Sequence, residues 1–391
     1  SNRLILLSYR LYKSGFVEDA SMQKLGDYIK EYSARNKQNE DIPVYSVTNS
    51  IGFCRDYFDK EVASSNKKTY KIVPRNAFAY NPSRINVGSV DYQHYEDRVI
   101  VSPLYNVFTV DERVVSEYLY FYLKNPNTIK RIKTVASGSV RDNLKLSMLY
   151  EFPISLPSVS DQKTIVKTIN KVQAVIDSKK SALEKFDNLI KARFVEMFEG
   201  EKMNEETIGS VTSFCSRGKS PKYVSESKLK VINQACIYWD KFKFENIKYN
   251  EDTYDGDRIL SDNDLLICST GTGTLGRCNI FHSPDDSRYM ADSHVTIVRL
   301  NGHVLPELFK VWFERPRTQE KLYSDCVSGS TNQIELSKEK FKNMAIPVPP
   351  ISLQKQFASF VAQINKSKFA VQKSLEKTQL LFDSLMQEYF G

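Results

Sequence analysis

The chain has 391 residues, of which 55 are lysine or arginine and 47 are aspartate or glutamate, so its net charge is +8. This length allows about two to four domains with cores of their own and excludes a small disulfide-stapled protein. Hydrophobic residues make up 41% of the chain and aromatic residues 12%, which excludes a low-complexity or disordered polymer.

The longest apolar run near the start is Leu4–Leu7, which Ser8 and Arg10 interrupt. It is too short for a signal-peptide core or a membrane span, so no membrane association is expected. The six cysteines form no Cys-x-x-Cys pair. We therefore expect a cytoplasmic protein whose cysteines stay reduced.

The next segment, residues 22–156, mixes short strand-like runs with a helical run. Arg98–Ser102 and Asn106–Val110 are rich in β-branched and apolar residues, and Ser116–Lys124 has helical spacing. The segment predicts an α+β globule.

From Asp161 to Phe198 the chain contains no proline or glycine, and apolar residues recur every three or four positions. This pattern predicts one helix of 38 residues, about 57 Å long at about 1.5 Å per residue, with Ser160 as its N-cap. The stripe residues that we expect to contact another helix are Ile165, Ile169, Val172, Leu183 and Ile190.

The second half repeats this order. Strand-like runs at Asp264–Cys268 and His294–Arg299 and a helical run at Leu305–Glu314 predict a second α+β globule. A second long helix follows, with Ser352 as its predicted N-cap. Its stripe residues are Phe357, Val361, Ile364, Leu375 and Phe382.

An internal repeat connects the halves. Pro157 and Pro349 are 192 positions apart, and the same offset carries Gln162 onto Gln354 without a gap. Upstream, Gly88 matches Gly276 at a slightly different offset. Each long helix has one apolar stripe and needs an equally long partner, for which the other copy is the obvious candidate; the alternative is that each helix packs on its own globule. The predicted divisions are 1–20, 21–156, 157–200, 201–348 and 349–391.

Two short motifs suggest chemistry that their surroundings do not support. The run 271–276 matches the G-x-G-x-x-G dinucleotide fingerprint, but a strand-like run follows it where the fingerprint needs a helix. A strand–loop–strand turn is therefore expected. The run 81–84 resembles the Asn-Pro-Pro-aromatic motif of adenine methyltransferases but lacks the second proline and the aromatic residue. No metal-ligand spacing, nucleophile elbow or P-loop is present.

Polar and basic loops at equivalent places in both halves are the candidate DNA contacts. Arginine, asparagine and glutamine can hydrogen-bond base edges, while serine, threonine and lysine bind phosphates. Any one such loop is more often a solvated turn, and its recurrence in both halves modestly favours DNA contact. The candidates are Arg35, Asn36, Lys37, Asn81, Arg84, Asn86, Ser139, Arg141, Arg217, Lys219, Lys222, Thr270, Thr272, Arg277, Asn332 and Gln333.

Several motifs together resemble the specificity subunit of type I restriction-modification systems. They are the Ser-Gly-Ser runs at 137–139 and 328–330, the proline joints 152–157 and 346–350, and the paired helices that open with Gln162 and Gln354. The resemblance covers residues from about 21 to the end. Residues 1–20 and the absence of the usual tryptophan near each globule start depart from it.

The resemblance implies two tandem α+β target-recognition domains separated by two long helices that pair as an antiparallel coiled coil. Each domain would recognise one half of a bipartite site in double-stranded DNA. Two adenine-methylating modification subunits and helicase-nuclease restriction subunits would assemble around this chain. The chain itself would need no cofactor, since S-adenosylmethionine, ATP and Mg²⁺ would belong to the partners.

Two alternatives stay open. One is a single-chain methyltransferase or nuclease fragment that carries such recognition domains, although residues 1–20 are too few for a catalytic domain. The other is a coiled-coil scaffold with no role in DNA binding, which predicts no salt-dependent affinity for a duplex.

Overall fold

The computed structural model describes residues 22–55, 66–136, 143–199, 203–252, 254, 256–329 and 334–391. The chain divides into two compact units. Unit 1 comprises residues 1–178 and 374–391, and unit 2 comprises residues 179–373. Each unit contains one globule and part of both long helices.

The globule of unit 1 is built on a four-stranded antiparallel sheet in the order β2–β9–β6–β7. Three two-stranded antiparallel pairs, β1–β10, β3–β4 and β5–β8, complete its strands among the described residues. The bounds are β1 Gln23–Lys24, β2 Ile29–Glu31, β3 Ser46–Thr48, β4 Gly52–Cys54, β5 Lys71–Pro74, β6 Phe78–Tyr80, β7 Val90–Tyr92, β8 Arg98–Val101, β9 Asn106–Val110 and β10 Pro153–Ile154.

Three short helices, α1 (Ser116–Lys124), α2 (Pro126–Ala136) and α3 (Leu146–Tyr150), accompany the sheet of unit 1. Their apolar residues share one core with the sheet and with the long helices α4 (Val159–Phe198) and α8 (Ile351–Phe390). Phe78 and Phe108 stack at its centre, with ring centroids 5.0 Å apart.

Unit 2 repeats the four-stranded sheet in the order β12–β19–β16–β17 and adds a second sheet, β13–β15–β14–β18, in which β14 and β18 run parallel. Its strands are β11 Glu205–Thr207, β12 Thr212–Arg217, β13 Tyr223–Val224, β14 Leu229–Ile232, β15 Lys248–Asn250, β16 Leu265–Cys268, β17 Cys278–Ile280, β18 Arg288–Ala291, β19 Val295–Leu300, β20 Val327–Ser328, β21 Glu335–Leu336 and β22 Ala345–Pro347. Its short helices are α5 Pro306–Phe313, α6 Pro316–Lys321 and α7 Lys338–Lys342, with a π-helical turn at Leu322–Cys326 between α6 and α7.

The mixed fold predicted from the sequence is confirmed, and the predicted strands and short helices form within one or two residues of their expected bounds. The N-cap prediction is wrong. Helix α4 begins at Val159, and the Ser158 hydroxyl accepts the Asp161 N–H at 3.2 Å, so Ser158 occupies the capping position. Helix α8 begins directly after Pro350, which places Ser352 inside its first turn.

The long helices pack together within each unit. In unit 2, the Phe357 ring of α8 lies 5.8 Å from Phe194 and 5.4 Å from Phe198 of α4, measured between centroids. One end of this contact is polar, since Lys368 bonds Asp187. Because α8 runs backward from Lys368 to Phe357 while α4 runs forward from Asp187 to Phe194, the helices are antiparallel. All ten predicted stripe residues are buried or half-buried.

The same glutamine anchors each long helix to its globule. In unit 1, the buried Gln162 accepts the Val115 N–H at 2.8 Å and donates to the carbonyls of Arg113 and Pro157 at 2.8 and 2.9 Å. Val115 is the residue before α1. The glutamine therefore ties the start of α4 to the start of α1.

In unit 2, the buried Gln354 repeats this network. It accepts the Leu305 N–H at 2.9 Å and donates to the carbonyls of His303 and Pro349, each at 2.8 Å. Leu305 precedes α5. The offset that aligns the two glutamines in the sequence thus aligns two identical sets of hydrogen bonds.

Candidate nucleic-acid interface

Two predicted loops of unit 2, 217–222 and 269–277, meet at the strand β21. Arg217, at the end of β12, forms an ion pair with Glu335 and donates to the Leu336 carbonyl at 3.0 Å. Glu335 also forms a β-bridge with Thr270, whose hydroxyl lies 3.0 Å from His294 Nδ1. Arg217 and Glu335, which are 118 positions apart in the sequence, therefore lie side by side.

The basic loop after β12 lies beside this meeting point. The Gly218 N–H bonds the Val295 carbonyl at 2.8 Å and the Lys219 N–H bonds the Ala291 carbonyl at 3.1 Å, which ties the loop to β18 and β19. Both lysines of the loop are exposed: the Lys219 ammonium lies 4.6 Å above the Tyr254 ring, and the Lys222 ammonium is 3.6 Å from Glu251.

The glycine-rich run 271–276 forms the predicted turn between β16 and β17. Gly271, Gly273 and Gly276 have φ of +87°, +82° and +86°, values that L-amino acids rarely adopt. The strand β17 follows directly, so no helix begins at this run as the dinucleotide motif requires. At its tip, Thr272 is exposed, and Arg277 donates to the Gly273 carbonyl at 2.9 Å.

In unit 1, hydrogen bonds of the Asn36 side chain hold the loop 35–40 together. The buried Asn36 donates to the Glu40 carbonyl and accepts the Glu40 N–H, both at 2.9 Å, so its amide shapes the loop. Arg35 and Lys37 are exposed on either side, and Arg35 donates to the Thr69 carbonyl at 2.7 Å. These two residues are the cations of this loop.

The loop 81–88 of unit 1 is a tight polar turn. Asn81 Oδ1 accepts from the Ser83 N–H and hydroxyl at 3.2 and 2.9 Å, Arg84 is exposed, and Asn86 is half-buried. Gly88 closes the turn at φ +89°, matching Gly276 of unit 2. Tyr80 leads into this loop, and its hydroxyl donates to the Leu144 carbonyl at 3.1 Å.

The two loops of unit 1 are linked through Lys71. This residue bridges to Arg35, and its ammonium donates to the Tyr105 carbonyl at 2.6 Å. Next to Tyr105, Asn106 donates to the Tyr80 hydroxyl at 2.9 Å. Burial lowers the pKa of Lys71, opposed by Glu31 and reinforced by Arg35.

The other four candidates, Ser139, Arg141, Asn332 and Gln333, lie outside the described residues. The DNA-contact assignments of the remaining twelve stay predictions. Across the described ranges, no group of three or more His, Cys, Asp or Glu residues is placed to hold a metal ion. Within the same ranges, no helix is long and apolar enough to cross a membrane.

The sequence-based set missed an aromatic turn of unit 2. Tyr238 carries two cations on its ring: the Lys243 ammonium at 4.2 Å and the Arg277 guanidinium at 5.0 Å from the centroid. The neighbouring Trp239 is exposed. The sequence signal for this turn is the run 238–244, Tyr-Trp-Asp-Lys-Phe-Lys-Phe, in which aromatic and basic residues alternate closely.

A family model described as "Type I restriction modification DNA specificity domain" matches the chain twice, over residues 23–186 and 201–380. The chain belongs to this family. Each match covers one globule together with most of the helix that follows it. The resemblance inferred from the proline joints and paired helices is therefore confirmed, and DNA target recognition is the function of the family.

Two named specificity subunits are similar to this family member along most of its length. The EcoKI specificity subunit of Escherichia coli (strain K12) is 20% identical over 379 residues, which is 90% of this chain and 80% of that protein. The StySPI specificity subunit of Salmonella potsdam is 20% identical over 392 residues, with 92% and 83% covered.

Solved structures share the fold of this specificity-domain protein. The S subunit of a type I restriction-modification system from M. genitalium superposes with a TM-score of 0.55 at 14% identity, covering 95% of this chain and 96% of that one. A chain from a study of complex assembly and conformational transition in the type I R-M system gives a TM-score of 0.57 at 15% identity, covering 95% and 97%.

Proposed function

We propose that this chain is the non-catalytic specificity subunit of a type I restriction-modification complex, with each globule recognising one half of a bipartite DNA site. The observation that carries the proposal is the duplicated glutamine anchor. Gln162 ties the first globule to the start of α4 and Gln354 ties the second globule to the start of α8, through matching hydrogen bonds.

The helix pair would set the spacing of the half-sites. Each long helix has 40 residues, which corresponds to about 60 Å of α-helix. A DNA turn is about 34–36 Å, so a spacer of this length suits two contacts separated by more than one turn. A site with a fixed, unrecognised gap follows from such a spacer.

The net charge suits this role. The +8 charge would be shared by two DNA-contacting surfaces, and phosphate contacts give affinity that falls steeply with salt. Base contacts then add about 1–3 kcal/mol of discrimination for each good bidentate pair. Methyl transfer and cleavage are assigned to the modification and restriction subunits, which this chain would assemble.

Exchanging one globule tests the modular recognition. Residues 21–156 are replaced by the corresponding segment of a relative with a different site, and methylated adenines are mapped in host DNA with the complete complex. The expected result is a change in one half-site only. A change in both half-sites, or methylation that does not depend on this chain, would contradict the proposal.

Matched deletions in the helices test the spacer. Removing residues 177–183 from α4 and the equivalent 369–375 from α8 takes about two turns, or about 10 Å, from both helices. The unrecognised gap should shorten by about three base pairs at about 3.4 Å each, with both half-sites unchanged. The control removes one segment only, which destroys the pairing register; an unchanged gap in the double deletion refutes the spacer role.

A further inference from the structure

The aromatic turn of unit 2, residues 237–243, is held firmly in place. Ile237 and Phe242 form a β-bridge, and the Tyr238 N–H bonds the Lys241 carbonyl at 3.0 Å. Two side chains from neighbouring elements fix its backbone from outside. Asn279 of β17 donates to the Tyr238 carbonyl at 3.1 Å, and Lys310 of α5 donates to the Trp239 carbonyl at 2.9 Å.

The tip of this rigid turn presents an indole ring to solvent. Trp239 is 36% exposed, whereas the other tryptophan of the chain, Trp312, is 6% exposed in the core of unit 2. Tryptophan is a residue that interfaces favour, because its ring supplies a large apolar face together with an N–H donor. Because hydrogen bonds already fix the backbone of the turn, little backbone conformational entropy would be lost when a partner covers the Trp239 ring.

The positive charges over the Tyr238 ring, next to Trp239, favour an anionic partner. Lys243 and Arg277 both lie over the Tyr238 ring, and among the described residues neither forms an ion pair with a carboxylate. The acid within the turn, Asp240, is 4.0 Å from Lys241. Arg277 also belongs to the loop 269–277, so the turn extends that surface.

We propose that the 237–243 turn is a DNA-contacting element of unit 2, in which Trp239 lies against the sugar and base edges of a groove and Lys243 neutralises a phosphate. This proposal rests on the proposed function and extends it beyond the polar loops. Apolar and aromatic side chains that enter a groove widen or unstack a base step, while adjacent cations bind the backbone. A docking face for a modification subunit is the competing outcome.

The presence of only two tryptophans gives a direct assay on the full-length chain. A duplex carrying the target sequence is titrated in at low salt while tryptophan emission and its quenching by acrylamide are followed. Binding should change the emission and reduce the acrylamide quenching of Trp239. A W239F variant should lose this response and keep the constant signal of Trp312. W239A should weaken binding about five- to tenfold.

A lysine pair separates phosphate contact from general charge. K243A should lower the slope of log affinity against log salt concentration by about one phosphate contact. K340A removes the same charge from an exposed position on α7 and should leave the slope unchanged. Equal slopes for K243A and the parent chain would contradict the phosphate contact.

The outcomes distinguish the two levels of the proposal. If the duplex binds, as judged by anisotropy of a labelled DNA, but Trp239 stays fully quenchable, this inference fails and the proposed function stands. If Trp239 is protected only when a modification subunit is added, the turn is a protein contact and the inference is overturned. If no duplex binds the chain or its complex, the proposed function itself fails.

Discussion

The two globules share a four-stranded central sheet and differ in the strands that surround it. The central sheet has the same strand order in both, β2–β9–β6–β7 and β12–β19–β16–β17. Equivalent details recur beside it: Asn76 and Asn263 adopt positive φ, +65° and +71°, and each lies two positions before the first residue of its strand, β6 or β16. The glutamine anchors also recur. What both copies keep is what fixes a globule to its helix.

The parts that differ lie away from that anchor. Unit 1 completes its globule with the antiparallel pairs β3–β4 and β5–β8, whereas unit 2 has a second four-stranded sheet in which β14 and β18 are parallel. This difference teaches that the variable strands are free to change because the helix contacts do not depend on them. Two unlike half-sites would require such freedom.

Unit 2 has one more residue than unit 1 in an equivalent helical stretch, and the fold accommodates it locally. Pro126 and Pro316 are 190 positions apart, but the following Ser-Gly-Ser runs, 137–139 and 328–330, are 191 apart. In unit 1, α2 is a regular helix to Ala136, and in unit 2 the equivalent stretch ends in a π-helical turn, Leu322–Cys326. A π-turn accommodates one inserted residue without displacing the rest of the helix.

The largest effect is expected from the shared anchor. Gln162→Ala and Gln354→Ala each leave a half-buried backbone N–H and two carbonyls without their glutamine partner, and each should destabilise its unit by about 3 kcal/mol. The two losses should be similar because the hydrogen bonds match. Urea unfolding measures them, by tryptophan emission for unit 2 and by hydrogen exchange for unit 1.

The exposed residues next to the glutamines supply the matched control. Lys163→Ala and Lys355→Ala occupy the same offset and should change stability by less than about 0.5 kcal/mol. If only one glutamine variant loses stability, the two anchors are not equivalent and the comparison between the halves is broken.

A smaller loss of stability is expected when an ion pair of unit 2 is broken. Arg299 donates to both oxygens of the buried Asp264 at 2.8 and 2.7 Å, which raises the pKa of Arg299. The corresponding residues of unit 1 are Ala77 and Thr109. Asp264→Ala should cost about 2 kcal/mol, below the range for fully buried pairs because Arg299 is partly exposed.

The double variant Asp264→Ala/Arg299→Thr copies unit 1 and sharpens the comparison. It should recover part of the stability lost in Asp264→Ala, because no charge is left without its partner. A double variant as unstable as the sum of the single variants would show that the two sheets do not tolerate each other's residues.

The contact between the start of α2 and the helix α8 should contribute less to stability. Asn125 caps α2 by accepting the Asn127 N–H at 2.8 Å and donates to the Met386 carbonyl of α8 at 2.8 Å, while its counterpart Arg315 pairs with Glu199. Asn125→Ala should cost about 1 kcal/mol. The exposed Asn127→Ala is the control, and equal losses in thermal unfolding would refute a specific role for the Asn125 amide.

The smallest effect concerns the cysteines. Cys215, Cys236, Cys268, Cys278 and Cys326 of unit 2 are buried, and burial raises the pKa of Cys268 to about 12, whereas Cys54 of unit 1 is half-buried. Burial raises the pKa of Cys54 as well, but its partial exposure should let it react with a thiol reagent in a separate phase, before the other five thiols of the folded chain. Cys54→Ser should abolish that phase and change stability by less than about 0.5 kcal/mol. Rapid reaction of several thiols would contradict this assignment.

Much of the architecture could be predicted from local pattern. The stripes from Ile165 to Ile190 and from Phe357 to Phe382 predicted two long helices, because a period near 3.6 without proline or glycine leaves the chain few alternatives. The strands β9 and β16 were predicted for the same reason, since runs of β-branched and apolar residues fit a buried sheet. The repeat offset then predicted that these elements occur twice.

The sequence by itself determined the elements and their duplication, since both follow from spacing along the chain. Only the tertiary structure decided which distant groups meet. It placed Gln162 on the N–H of Val115, joined Arg217 to Glu335 across 118 positions, and put the Lys243 and Arg277 cations on the Tyr238 ring. Such contacts depend on chain crossings that no local period encodes. For that reason the helices were predictable, while the organisation of the candidate DNA surface was not.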